Sequence, residues 1–322
     1  MRPQFFMEGG LMKAALYHGK RDVRVLEIPE PETMPGTVKV KIDYCGICGS
    51  DVHAYIHGHY NTVMQNKVMG HEYGGVVESV GEGVTRFQPG DKVTGIGIGG
   101  AFAEKWVYPE NLLYHLPSQM TTKEAALVEP LAVSLRGVKR SKPVQGENIA
   151  VLGAGPIGLF CVAILKQKGF DNIIVSEPDE FRRKKALEMG AKEAHEPQEF
   201  SKRVRELTGL MGLHLAFECV GAKATMDEAI SLLGRGGRLL VLGALTEPYP
   251  LTIFNFFVKE ITIIPSFAHL DEMEEALQLV ANKIIDPLTI ATNEILLDNI
   301  SSQGLDPLAE RKTGLVKVLV KC

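Results

Sequence analysis

At 322 residues, 45% hydrophobic and 23% charged, the chain is long enough for two domains with separate cores. A net charge of −4 gives no electrostatic case for nucleic acid or an anionic membrane as partner. Five cysteines, an odd number, do not suit a secreted disulfide framework, so reduced cysteine in a cytoplasmic chain is expected.

Residues 1–11 read as an N-terminal extension without the sustained apolar core of a signal peptide. From there to about residue 130, short strands and Gly-rich turns dominate. Val38–Ile42 alternates with period two, Gly74–Gly81 reads as strand then turn, and Pro89-Gly90-Asp91 turns the chain into Lys92-Val93-Thr94. From residue 131 the rhythm becomes strand–helix alternation. Strands are expected at Ile149–Leu152, Asn172–Ser176, Leu215–Glu218, Arg238–Leu242 and Glu260–Ile264, with helices at Pro156–Lys168, Phe181–Met189 and Ala224–Leu233. Such alternation implies an α/β fold with a parallel, doubly wound sheet. Asp271–Asn282 reads as an amphipathic helix, and Leu315–Val320 alternates again, as a strand returning to the first domain. The expected division is 12–130 with 267–322 as a mostly β domain, and 131–266 as the doubly wound one. Ile149–Leu165 is uncharged, but 17 residues with Gly153, Gly155, Pro156 and Gly158 near its start fall short of the roughly 20 apolar residues of a bilayer helix. No membrane span is expected.

Gly153-Ala154-Gly155-Pro156-Ile157-Gly158 fits the Gly-rich dinucleotide fingerprint, and it gains weight by following the apolar strand and opening a helix. Gly153 permits the tight turn, Gly155 lets a pyrophosphate approach the backbone, and Gly158 allows close packing of helix on strand. The helix N-terminus adds free N–H groups and a positive dipole end. Glu177 lies 19 positions after Gly158, near the spacing of an acid that binds the adenosine ribose and repels a 2′-phosphate. NAD is therefore expected rather than NADP, although Arg182 and Arg183 argue the other way, since arginine binds phosphate.

Cys45-Gly46-Ile47-Cys48-Gly49-Ser50-Asp51-Val52-His53, followed by Gly70-His71-Glu72, carries most of the chemical information. A zinc ribbon needs a second Cys pair, yet Cys161, Cys219 and Cys322 are scattered singly. A thioredoxin-like redox pair belongs at a helix N-terminus in a βαβ unit, whereas this pair sits in Gly-rich β sequence. A catalytic zinc site, with about three mixed ligands and one open position, fits better: Cys48, His71 and a carboxylate from Glu72 or Glu129. Glu129 stands just before the second domain, where it could equally be a surface helix cap.

These motifs, with Glu129-Pro130-Leu131, the Gly-rich turn and Ser176-Glu177-Pro178 followed by Phe181-Arg182, resemble those of zinc-containing medium-chain dehydrogenases of the sorbitol, butanediol and threonine dehydrogenase group. The likeness runs from about residue 12 to the C-terminus, and the ending from Gln303 to Val320 is most similar to butanediol dehydrogenases. It implies a GroES-like catalytic domain beside a Rossmann domain, a small-molecule alcohol or ketone substrate, and a homodimer or homotetramer. It also implies residue roles. Cys48 and His71 correspond to zinc ligands, Glu72 and Glu129 share the remaining protein position, and Cys45 is structural. Ser50 corresponds to the hydroxyl that takes the alcohol proton, His53 to the group passing it towards solvent, and Asp51 to a residue orienting His71. Leu242, Gly243, Ala244, Ser266 and Phe267 match positions on the nicotinamide side, though ordinary strand-end packing explains them as well. Zinc would supply Lewis acidity and nicotinamide would accept the hydride.

Departures from the family pattern matter too. Most relatives carry a four-cysteine structural zinc lobe after the segment matching Gly90–Val93, whereas here Val93 leads through a Gly-rich stretch into Ala101-Phe102, with no cysteine between Cys48 and Cys161. One zinc per chain is expected. Ala268 stands where polyol-specific relatives have arginine, which argues against sorbitol itself. Arg136 replaces a common histidine, for which the sequence offers no mechanistic reason. Two other readings compete: a zinc-free, NADPH-linked quinone or enone reductase on the same fold, and a non-catalytic NAD-binding sensor. The first should lack the Cys/His/Glu set and Glu177. The second should lack a ligand or Ser50.

Overall fold

A computed structural model describes residues 10–58, 68–97, 99–269 and 271–322. Of the expected N-terminal extension, residues 1–9 lie outside the described residues, as does Ile98 of the Gly-rich stretch. The chain divides into two compact units, Met1–Glu129 with Leu277–Cys322, and Pro130–Ala276.

The first unit is built on extended chain. A hairpin pairs β1 (Leu11–Gly19) with β2 (Asp22–Pro29). The period-two stretch at Val38 becomes the middle of β3 (Thr37–Gly46), which places Val38, Val40 and Ile42 on a fully buried face. Helix α1 (Gly49–His57) follows, then β4 (Glu72–Val80), β5 (Lys92–Gly95), β6 (Lys105–Pro109) and β7 (Leu113–His115), with the short α2 (Thr122–Ala125).

The second unit opens with α3 (Val128–Ser141), whose first residues still belong to the first. Strand and helix then alternate: β8 (Ile149–Leu152), α4 (Pro156–Gln167), β9 (Ile173–Ser176), α5 (Glu180–Glu188), β10 (Glu193–His195), α6 (Pro197–Thr208), β11 (Leu213–Glu218), α7 (Lys223–Leu232), β12 (Leu233–Val241), α8 (Ile253–Lys259) and β13 (Thr262–Pro265), before α9 (Glu272–Ala281). The six strands pair in parallel in the order β10-β9-β8-β11-β12-β13. This is the doubly wound order in which the chain reverses direction beside its first strand, here β8. β8 and β9 are buried along their whole length, which explains their unbroken apolar sequence. β12 begins five residues before the expected Arg238, because Leu233 pairs with Leu213 ahead of a register shift that spans the intervening glycines, where Gly236 holds φ at +73°.

The chain returns to the first unit through β14 (Ala291–Leu296), a π-helical turn at Ile300–Leu305, α10 (Asp306–Ala309) and β15 (Lys317–Lys321). β15 pairs antiparallel with β3, setting Leu319 opposite Gly46, and completes a sheet ordered β14-β15-β3-β4-β5-β7 with β6 also on β3. Val318 and Val320 join Ile42, Cys45, Tyr73 and Phe102 in the core, so Cys45 is a packing residue.

Candidate functional site

Cys48 is the N-cap of α1, in extended conformation. Its N–H donates to Asp51 Oδ2 at 2.9 Å, and Asp51 Oδ1 lies 3.9 Å from His71 Nδ1. One buried carboxylate thus caps the helix and faces the imidazole. Burial pushes the Asp51 carboxyl up, partly offset by His71.

His71 arrives from the next segment, where Gly70 holds φ at +85° and a Cβ would lie 2.8 Å from Phe102. That left-handed turn is open to glycine at no steric cost and aims His71 back at α1. Gly97, in the Gly-rich stretch after Val93, packs directly on His71; a Cβ there would sit 2.2 Å from its carbonyl oxygen. Burial alone would lower the imidazole pKa, but the negative charges of Cys48, Asp51 and Glu129 outweigh it and hold His71 well above its ordinary range.

Ligand atoms of Cys48, His71 and Glu72 all lie within 4.8 Å of one another, and among the described residues they form the one such His/Cys/carboxylate set. Sulfur, imidazole nitrogen and carboxylate oxygen are the donors zinc takes, at about 2.0–2.3 Å, with three protein ligands leaving a fourth position open. The donor set fits the ion.

Glu72 has a partner the sequence does not announce. Lys317 Nζ, carried in on β15, donates to Glu72 Oε1 at 2.9 Å, to Oε2 at 2.7 Å and to the Ile47 carbonyl at 2.9 Å. Both side chains are 1% exposed. Burial would lower the Lys317 pKa, but Glu72 and Cys48 keep it above its ordinary value. Gly46 bounds the carboxylate too, since a Cβ there would meet Glu72 Oε2 at 2.2 Å. The signal that could have revealed Lys317 is a lysine opening a strand whose next three residues, Val318, Leu319 and Val320, are apolar on both faces, where a buried ammonium demands a counter-charge.

Glu129, in the first turn of α3, stands outside the three-residue set but feels its charges. Desolvation pushes its carboxyl up to about 7, against the pull of His71. Ser50 is exposed in the first turn of α1, and His53 is half-buried one turn on, with its ring 4.4 Å from that of His57.

In the second unit the expected fingerprint closes β8 onto α4. Gly153 has φ +97°, and a Cβ on Gly158 would lie 1.9 Å from the Gly153 carbonyl oxygen. Gly155, the N-cap of α4, would meet nothing with its Cβ, so its lack of a side chain leaves space over the helix N-terminus. Pro156 and Ile157 form the first turn of that helix. Glu177, only 5% exposed, closes the turn from beyond β9: Oε2 accepts from Ala154 N at 2.7 Å and Oε1 from Asp179 N at 3.0 Å. Arg183 donates to the carbonyls of Glu177 and Pro178 and to Glu196, while Arg182 lies in the first turns of α5. Glu218, missed by the sequence reading, ends β11. Its Oε1 accepts from Val220 N, Gly221 N and Thr225 Oγ1, and its carbonyl accepts from Leu242 N and Gly243 N. One buried glutamate thus ties together two loops at the carboxyl ends of the strands. Gly221 fits tightly under Ala244, and Ser266 follows β13 with a buried hydroxyl that has no hydrogen-bond partner among the described residues. Phe267 is 92% exposed. Arg136 lies 3.6 Å from Glu272, a structural use for that departure.

Residues 34–118 match the alcohol dehydrogenase GroES-like domain and residues 156–282 the zinc-binding dehydrogenase domain. The chain is 33% identical to (R,R)-butanediol dehydrogenase of Bacillus subtilis, over 96% of this chain and 99% of that protein. It is 31% identical to sorbitol dehydrogenase of Gallus gallus, over 96% of each. The crystal structure of 2R,3R-butanediol dehydrogenase from Bacillus subtilis superposes with a TM-score of 0.88 at 31% identity, covering 97% of this chain and 99% of that one. The chain therefore belongs to the zinc-type medium-chain dehydrogenase family and is an alcohol or polyol dehydrogenase, an oxidoreductase that works with zinc and a nicotinamide cofactor.

Proposed function

We propose that the chain transfers hydride between a small secondary alcohol or polyol and NAD, with one zinc per subunit held by Cys48, His71 and a carboxylate from Glu72 or Glu129. The observation that carries this reading is the convergence of Cys48, His71 and Glu72 within 4.8 Å, a mixed donor set one short of a filled tetrahedron. Bound there, the ion supplies the Lewis acidity that lowers the pKa of an alcohol hydroxyl.

The chain's own residues do the remaining work. Asp51 fixes Cys48 through its N–H and faces His71 Nδ1, so both ligands keep one orientation. Ser50, exposed beside Cys48, takes the hydroxyl proton, and His53 one helical turn later passes it towards solvent. The open space over Gly155 admits the pyrophosphate to the α4 N-terminus. Glu177, held by Ala154 and Asp179, presents its remaining lone pairs to the adenosine ribose and opposes a 2′-phosphate. Arg183 is engaged by three acceptors and offers no free cation to such a phosphate. Leu242, Gly243, Ala244, Ser266 and Phe267 line the nicotinamide side.

The butanediol and sorbitol dehydrogenase relatives support a secondary alcohol with a neighbouring hydroxyl. Ala268 favours a short diol over a long polyol, because it brings no charge to a distant hydroxyl. The working form is a cytoplasmic homodimer or homotetramer. Five unpaired cysteines support that setting. Among the described residues no helix is long and apolar enough to cross a membrane. The test is initial-rate NAD and NADP reduction by the zinc-loaded enzyme across butanediols, pentitols, hexitols, their phosphates and threonine. NAD-linked oxidation of a short diol is expected. Equal rates with NADP, or no turnover of any secondary alcohol, would overturn the proposal.

A further inference from the structure

Both oxygens that Glu72 could offer a metal are the oxygens that Lys317 occupies, at 2.9 and 2.7 Å. The third ammonium hydrogen goes to the Ile47 carbonyl, so Lys317 has no donor left for water or substrate. Its nitrogen is anchored from the β3 side by that carbonyl and cannot follow Glu72 far. Gly46, the last residue of β3, bounds the carboxylate as well, since a Cβ there would come within 2.2 Å of Glu72 Oε2. The carboxylate therefore sits between backbone and ammonium, in a part of the fold that excludes water, with ligand atoms of Cys48 and His71 within 4.8 Å.

Resting on the zinc reading above, we propose that Lys317 is a positioning residue that competes with zinc for the Glu72 carboxylate. Two cations share one carboxylate at low local dielectric, and each hydrogen bond from the ammonium draws charge and lone-pair direction away from the metal. Glu72 is then an intermittent ligand, and a coordination position stays open for the alcohol. A lysine serving only to fill the core would have no such effect. The two roles predict opposite changes when the ammonium is removed. Loss of a plug loosens the site and its metal, whereas loss of a competitor hands Glu72 to the metal and tightens it.

The experiment measures zinc release from the full-length, zinc-loaded protein to a chromophoric chelator, together with the visible spectrum of the cobalt-substituted protein. Lys317→Met should release zinc about 10-fold or more slowly than wild type, the scale on which outer-sphere partners tune metal sites. Its cobalt spectrum should change, and kcat should fall more than KM rises. Adding Glu72→Gln to Lys317→Met should return release towards the wild-type rate, because nothing is left to compete for. Wild-type or faster release from Lys317→Met, with an unchanged cobalt spectrum, would overturn the proposal. Should Lys317→Met fail to fold, Glu72→Gln alone decides: release within a few-fold of wild type supports an intermittent ligand, and release faster by an order of magnitude contradicts it. Zinc held equally well by Cys48→Ala would refute the underlying site instead, a result separable from either outcome at Lys317.

Discussion

Gly46→Ala is the sharpest single change the site offers. Gly46 ends β3 two residues before Cys48, directly opposite Glu72 on β4 and Leu319 on β15. A methyl group there would lie 2.2 Å from Glu72 Oε2 and 3.3 Å from the Ala126 carbonyl oxygen. The carbonyl is backbone and cannot give way, so the carboxylate must retreat by about 1 Å to reach ordinary van der Waals contact. Lys317 is tied to Ile47 and cannot follow. If the pair opens, a buried ammonium and a buried carboxylate each lose their partner, at a cost of about 3–5 kcal/mol. If Glu72 only strains its rotamer and keeps Lys317, the cost is about 0.5–1.5 kcal/mol. A shift of this size beside the metal is expected to lower kcat by roughly 10²-fold. The assay is kcat and KM for alcohol oxidation, with thermal unfolding and NADH binding measured alongside. Activity and unfolding temperature should fall while NADH affinity holds. Wild-type activity and stability in Gly46→Ala would show that the Glu72 carboxylate does not sit between β3 and Lys317.

Two further outcomes follow from the cofactor unit. Glu177→Ala leaves the Ala154 and Asp179 N–H groups without their acceptor, worth about 1–3 kcal/mol, so KM for NAD should rise at least several-fold and the preference over NADP should narrow; an unchanged NAD/NADP ratio would contradict the role given to this acid. Glu193 is depressed from 4.5 to about 2, chiefly by its hydrogen bonds from Arg203 and then by His195. Because the folded group resists a proton that the unfolded chain accepts, its stabilisation is complete above about pH 5 and is lost as pH falls towards 2. Urea unfolding should therefore separate wild type from Glu193→Gln more widely at pH 7 than at pH 3, and an equal gap at both would refute the assignment.

The Cys48, His71 and Glu72 cluster was legible in the sequence because its residues lie close together along the chain. Cys48 and Asp51 are one helical turn apart, His71 and Glu72 are adjacent, and a Gly-rich turn between an apolar strand and a helix means the same thing wherever it occurs. Lys317 was illegible for the opposite reason. It meets Glu72 across 245 positions of chain, and only the β15–β3 pairing brings them together. Alternation in Leu315–Val320 suggests one solvent-facing side, on which a lysine is unremarked, yet four of the five β15 residues are buried. Gly46 reads as one more turn glycine until Glu72 is seen to fill the space its side chain would need. Glu218 ends an apolar strand and resembles a surface acid, because the N–H groups it accepts belong to a loop whose course the sequence does not specify. Glu177 was found at the right spacing, but not its grip on Ala154, which depends on how β8 and β9 align.

Metal analysis of wild type and Cys48→Ala, purified in parallel and paired with NADH titration, bears most directly on the proposal that Cys48 and His71 hold a single zinc. The expected result is about one zinc per wild-type chain, little or none in Cys48→Ala, and similar NADH affinity in both. Two tightly held zincs in the wild type, or full zinc retention by Cys48→Ala, would contradict it.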